Sequence, residues 1–128
     1  MATVFVIDDD PGYRALLRAL LEDKGHLVAE SHNGADVLRY VENMKHPPAL
    51  FIVDLKMPVV GGYELVRQLR HHEITREIPI LMLTAQGEGV RDLAEQEGVV
   101  YLRKVVTSNE EIMDHVQRLL QRSAKADH

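Results

Sequence analysis

Five short, continuously apolar runs, Thr3 to Ile7, Leu27 to Ala29, Ala49 to Val53, Ile78 to Leu83 and Val99 to Leu102, are each followed by a stretch with helical spacing. That alternation admits few architectures. A strand buried on one face alternates apolar and polar residues, whereas a run without alternation is covered on both faces, as in a parallel sheet with helices on either side. The connections are then right-handed strand-helix-strand crossovers. The expected fold is an α/β domain, a doubly wound five-stranded parallel sheet built as (βα)5.

Local signals place the helices. Tyr13, Leu16, Leu17, Leu20 and Leu21 form one helical face, Asp10 suits the cap before it, Pro11 the first turn and Gly25 the stop. Leu38 and Val41 indicate a short second helix; Tyr63, Val66 and Leu69 line a third after Gly61 and Gly62; Val90, Leu93 and Ala94 mark a fourth. Ile112, Val116, Leu119 and Leu120 define the last, behind the capping box of Ser108 and Glu111. The expected domain is residues 1–121, with Arg122 to His128 a flexible tail.

Composition closes off other classes. The 128 residues, 45% hydrophobic and 27% charged, fit one compact domain with a radius of gyration of about 14 Å. The longest apolar run, Ala49 to Val53, is far short of the roughly 20 residues a membrane-crossing helix needs. With no cysteine, disulfides, thiol catalysis and cysteine-based zinc sites are excluded. A cytoplasmic location is the expectation. A net charge of −5, from 15 Lys+Arg against 20 Asp+Glu, supplies no positive field for a nucleic-acid backbone. Neither direct nucleic-acid binding nor membrane attachment is expected.

In a parallel sheet the carboxyl ends of all strands share one edge, where ligands bind. Here the first strand ends in Asp8, Asp9 and Asp10, the third in Asp54 and the fourth in Thr84, and Lys104 follows the fifth. Clustered carboxylates repel one another and call for a cation; hard oxygen donors with few protein contacts suit Mg2+. A carboxylate beside a divalent ion, a hydroxyl and an ammonium is equipped to accept a phosphoryl group, because those three can hold its oxygens. Met57 reads as packing, Asp10 as a helix cap rather than a ligand, and the seven histidines, His71 and His72 among them, as solvated surface.

Four stretches in order, VFVIDDDP with Arg14 five residues after Asp9, FIVDLKMPVVGG around Asp54, ILMLTA ending in Thr84 and Ala85, and YLRK at Tyr101 to Lys104, give a resemblance from about Thr3 to Leu120. The chain resembles the receiver domains of two-component response regulators. The resemblance implies a flavodoxin-like fold with strand order 2-1-3-4-5. It implies that Asp54 accepts a phosphoryl group from a histidine kinase or a histidine phosphotransfer protein. By the same resemblance Asp9 binds Mg2+ or Mn2+ directly and Asp8 through water, while Asp54 and the backbone carbonyl of Lys56 complete the ligands. Thr84 and Lys104 contact the phosphoryl group. Thr84 then moves toward the phosphate while Tyr101 turns inward, reshaping the face of the fourth helix, fifth strand and fifth helix, where a downstream protein target binds. Such a protein is a signalling phosphoacceptor and not an enzyme, assisting only its own phosphorylation and dephosphorylation.

The sequence departs from the family pattern at Val105, where proline is usual after the lysine. A cis bond before valine costs about 3 kcal/mol or more, so either that strain is kept or the loop runs trans and Lys104 points differently. From Thr84 to Lys104 the chain is about two residues shorter than usual, so a short or irregular fourth helix and an atypical output face are expected. Lys56 and Gln86, two residues after Asp54 and Thr84, flank the phosphoryl position and are read as tuning dephosphorylation; Lys56 is expected to lengthen the phosphoaspartate lifetime.

Competing readings remain at single residues and for the whole. Thr84 alone fits a cap, Lys104 a surface lysine, and Tyr101 plain core. A pseudo-receiver, a binding module independent of phosphorylation, shares the fold. A haloacid dehalogenase-type phosphatase would use Asp8 and Asp10 as its D-x-D, but Gly12 stands where that family prefers Thr or Val, and no acidic pair ends the fourth strand. A flavin site would need a hydroxyl- and glycine-rich first loop, and this one opens with three acids. With only a short tail after Leu120, no attached output domain is expected.

Overall fold

The computed structural model describes residues 2–55, 57, 60–85 and 90–126. Strands and helices alternate along the chain: β1 (Thr3–Ile7), α1 (Pro11–Asp23), β2 (Leu27–Ser31), α2 (Val37–Asn43), β3 (Leu50–Val53), α3 (Gly62–Arg70), β4 (Ile80–Thr84), α4 (Val90–Glu97), β5 (Val100–Arg103) and α5 (Asn109–Ala126). The five strands form one sheet in the order β2-β1-β3-β4-β5, all pairs parallel. The expected flavodoxin-like (βα)5 topology with order 2-1-3-4-5 is therefore the observed one.

Every central strand divides its side chains between two cores. Val4 and Val6, Leu50 and Ile52, and Leu81 and Leu83 face Leu17 and Leu21 of α1 and Ile112 and Val116 of α5. Phe5 and Ile7, Phe51 and Val53, and Ile80 and Met82 face α2 and α3 through Val37, Val41, Leu65, Val66 and Leu69. The period-two geometry of a strand is thus intact, but both faces are apolar, so it leaves no polar alternation in the sequence.

The capping signals act as read. Asp10 Oδ1 accepts from the amides of Gly12 (2.9 Å) and Tyr13 (3.2 Å), and Gly25 ends the α1 turn at φ 86°, where a Cβ would be strained. Ser108 Oγ accepts from the Glu111 amide at 3.1 Å and donates to the Glu111 carboxylate at 3.2 Å.

Several expected boundaries and faces shift. The β2 strand runs two residues past Ala29, carrying Glu30 and Ser31 beside Val6 and Ile7. The β4 strand starts at Ile80, because Pro79 has no amide hydrogen to give to a ladder. The α5 helix continues to Ala126, so residues 122–126 are helical and not the tail expected from Arg122 onward. Leu16 and Tyr63, assigned from spacing to buried faces, are exposed; α1 and α3 need only narrow stripes to cover this small sheet. The α4 helix is short, as expected, at eight residues; the side chains of Val90, Leu93 and Ala94 lie outside the described set.

Candidate functional site

The carboxyl edge of the sheet gathers the predicted acids because β1 and β3 are neighbours in register. Ile7 pairs with Val53, and the Asp54 amide donates to the Ile7 carbonyl at 2.9 Å. Asp8 and Asp54 thus leave adjacent strands side by side, both buried, with Asp9 exposed next to them. One carboxylate oxygen from each of the three lies within 4.8 Å of the others. Asp10 does not join them, since its Oδ1 caps α1. The D-x-D arrangement needed by the phosphatase reading therefore does not form.

Lys104 supplies the opposite charge. Its Nζ donates to Asp8 Oδ2 at 2.7 Å and lies 3.5 Å from Asp54 Oδ2. The same ammonium sits 4.2 Å from the centroid of the Tyr13 ring, a contact worth about 0.5–2 kcal/mol. There is no cis peptide bond among the described residues, so the Lys104–Val105 bond is trans and yet Lys104 still points into the cluster. The expected misdirection does not occur because the Lys104 amide is anchored to the Thr84 carbonyl at 3.0 Å and the flexible four-carbon stem covers the remaining distance. Thr84 ends β4 opposite Arg103 and is buried.

A second set of contacts holds the acidic loop from behind. The Arg14 guanidinium donates to the Asp8 carbonyl at 2.6 Å and to Glu30 Oε1 at 3.2 Å, and Arg18 Nε donates to Glu30 Oε2 at 2.6 Å. The Asp10 amide donates to Asp8 Oδ1 at 2.9 Å. Gly62 secures the other acid: its amide donates to the Leu55 carbonyl at 2.9 Å. A Cβ there would collide with the Asp54 carbonyl and stand 2.7 Å from Leu55 Cα. Glycine is required at this position by a close approach of backbones, not by φ.

Burial pushes the Asp54 carboxyl up to about 6, and the Asp8 carboxylate, and less so Asp9, adds to the rise; the Lys104 ammonium and the Leu55 amide oppose it. Burial, with Asp8 and then Asp54, raises the Tyr13 phenol to about 12. A site whose acids resist ionising together is short of positive charge. Three close carboxylates are the oxygen donor set of a hard divalent ion, and they fit one.

Tyr101 on β5 is partly buried against the α2/α3 core, opposite Met82, and Met57 packs on the same core as expected. Lys56 and Gln86 lie outside the described residues. The histidines are not uniformly solvated: both ring nitrogens of His26 are buried without a hydrogen-bond partner among the described residues, and burial lowers its basicity. His72 Nε2 is 3.1 Å from Glu42.

Sequence reasoning missed Tyr13 and Glu30 as parts of the site. Tyr13 was readable from helix geometry, because side chains in a first turn lean toward the N-terminus, here toward the acids. Glu30 was readable as the charge that directly follows the apolar run Leu27 to Ala29.

Comparison with known proteins agrees with this arrangement. Residues 4–117 match the response regulator receiver domain family. The phosphate regulon transcriptional regulatory protein PhoB of Pseudomonas aeruginosa is 35% identical over 86 residues, covering 67% of this chain and 37% of that protein. A response regulator receiver domain from Clostridium thermocellum superposes with a TM-score of 0.83 at 28% identity, covering 98% of this chain and 99% of that one. The receiver domain of a sensor histidine kinase from P. aeruginosa PAO1, with a magnesium ion coordinated in its active-site cleft, gives 0.76 at 28% identity over 94% and 95% of the two chains. The fold and the acid-lysine cluster define a signalling receiver, and the chain belongs to the response regulator receiver domain family. It spans just over a third of the length of the curated regulators that head its relatives. No helix among the described residues is long and apolar enough to cross a membrane.

Proposed function

We propose that Asp54 is the phosphoacceptor of this receiver, taking a phosphoryl group from the phosphohistidine of a histidine kinase or a histidine phosphotransfer protein. The observation that carries this reading is the convergence of Asp8, Asp9 and Asp54 within 4.8 Å, with the Lys104 ammonium 2.7 Å from Asp8 and 3.5 Å from Asp54. An Asp54 carboxylate oxygen attacks phosphorus, the phosphorus–nitrogen bond breaks, and its electron pair returns to the imidazole. Asp8, Asp9 and Asp54, with the Lys56 carbonyl, would hold Mg2+ or Mn2+. When bound, the ion offsets the charge of the acids and of the transferring group. Lys104 and the Thr84 hydroxyl take the remaining phosphoryl oxygens, while Lys56 and Gln86 tune hydrolysis.

Phosphorylation can shift a two-state element only by contacting its states differently. Thr84 ends β4 and Lys104 directly follows β5, and Tyr101 is three residues before Lys104, so contacts made at the cluster bear directly on the α4-β5-α5 face. That face is the proposed site of a downstream protein partner, with the protein acting in the cytoplasm. Intact mass after incubation with acetyl phosphate and Mg2+ tests the assignment. One added phosphoryl group is expected, and none without Mg2+ or in Asp54→Asn; labelling of the Asn variant would sink the assignment.

A further inference from the structure

We propose that Tyr13 is a positioning residue for Lys104: its ring face holds the ammonium over the acidic cluster without neutralising it. The inference rests on Asp54 being the phosphoacceptor. Among the described residues, Lys104 Nζ lies close to Asp8 Oδ2, Asp54 Oδ2 and the Tyr13 ring. Both carboxylates are groups that a divalent cation or a phosphoryl group would also engage. The ring face is a neighbour for which neither competes.

The Lys104 side chain is 14% exposed, so its stem is packed, and among the described residues the ring is an uncharged group against which its tip rests. The Lys104 backbone amide is tied to Thr84, while Val105 and Val106, which follow, are 83% and 69% exposed. Tyr13 is fixed in the first turn of α1 by the hydrogen bond its backbone amide donates to Asp10 Oδ1 and by packing on the α1/α5 core. A π face attracts a cation through its quadrupole and carries no net charge. It therefore retains the ammonium at the site with its full charge available to phosphoryl oxygens, which a third carboxylate could not do. The Tyr13 hydroxyl is buried and has no hydrogen-bond partner among the described residues, so the ring, and not the phenol oxygen, carries the role.

Tyr13→Phe keeps the ring, and Tyr13→Leu keeps apolar bulk without it. Ring current should place the Lys104 Hε proton signals upfield of those of the other lysines in wild type and Tyr13→Phe, and return them to ordinary positions in Tyr13→Leu. Phosphorylation by acetyl phosphate should be about three- to tenfold slower in Tyr13→Leu and near the wild-type rate in Tyr13→Phe. Ordinary Hε positions in wild type, or equal rates in the two variants, would overturn the proposal. A wild-type protein that takes no phosphoryl group would remove the phosphoacceptor reading instead, and the Hε signals of the three proteins would still decide whether the ring holds the ammonium.

Discussion

On the β1 side of the cluster, Asp8 is gripped at both backbone and side chain: its amide donates to Ser31, its carbonyl accepts from Arg14, and its Oδ1 accepts from the Asp10 amide. On the β5 side, Lys104 is followed by two exposed valines, and its ammonium reaches the acids and the Tyr13 ring at the end of a largely buried stem. The difference teaches how one rim serves two purposes. Acids that assemble a cation site must stay near one another despite repulsion, so their loop is preorganised by neutral and ionic hydrogen bonds. In the proposed reaction Lys104 exchanges carboxylate oxygens for phosphoryl oxygens, and the rotatable bonds of its four-carbon stem permit that exchange.

The contrast can be broken most severely from the Asp54 side. Gly62→Ala forces a Cβ onto the Asp54 carbonyl, and a loss of about 2–4 kcal/mol in unfolding free energy is expected by denaturant titration. Next, Arg14→Met removes the donor to the Asp8 carbonyl and leaves Glu30 with one partner. About 1–3 kcal/mol of stability should go, and Mg2+ binding, followed by tyrosine fluorescence, should weaken. Lys104→Met removes a cation that competes for the same carboxylates, so Mg2+ should bind more tightly. Opposite signs for these two cations would establish that one supports the acids and the other competes for them; equal signs would erase the distinction.

A subtler effect comes from pH. The Asp54 carboxyl stands at about 6 in the folded protein, above its ordinary value of 3.8. The folded state therefore binds the extra proton between those values, and stability falls as pH rises through that window. Asp54→Asn should be the more stable protein above pH 6 without metal, with the gain vanishing below pH 4; a gain independent of pH would refute the cause. Smallest of all, Val105→Ser and Val106→Ser should each stay within about 0.5 kcal/mol of wild type; a larger loss would show that the two valines anchor the lysine side of the rim.

Four of the strand ends were legible because each coincides with a change from apolar to charged or hydroxyl residues, at Asp8, Asp54, Thr84 and the Arg103–Lys104 pair. The capping roles of Asp10 and Ser108 were legible for a similar local reason, since a cap bonds within three residues. Faces were less so. Leu16 and Tyr63 satisfy helical spacing but fall outside the stripe that meets the sheet, and spacing alone does not give the width of that stripe. The end of α5 was misread at Arg122, where polar residues were taken as a tail but continue the helix to Ala126.

Local chemistry along the chain, then, was enough to specify a parallel (βα)5 sheet and the acids, hydroxyl and lysine of its carboxyl edge, because those features repeat at the scale of single strands. How close Asp8, Asp9 and Asp54 come, that Lys104 reaches two of the acids across a trans bond to Val105, and how Arg14 ties the Asp8 carbonyl to Glu30, were decided only when β2, β1, β3 and β5 came together. These are contacts between residues up to 96 positions apart, and their geometry is set by strand register and crossover, which no local pattern encodes.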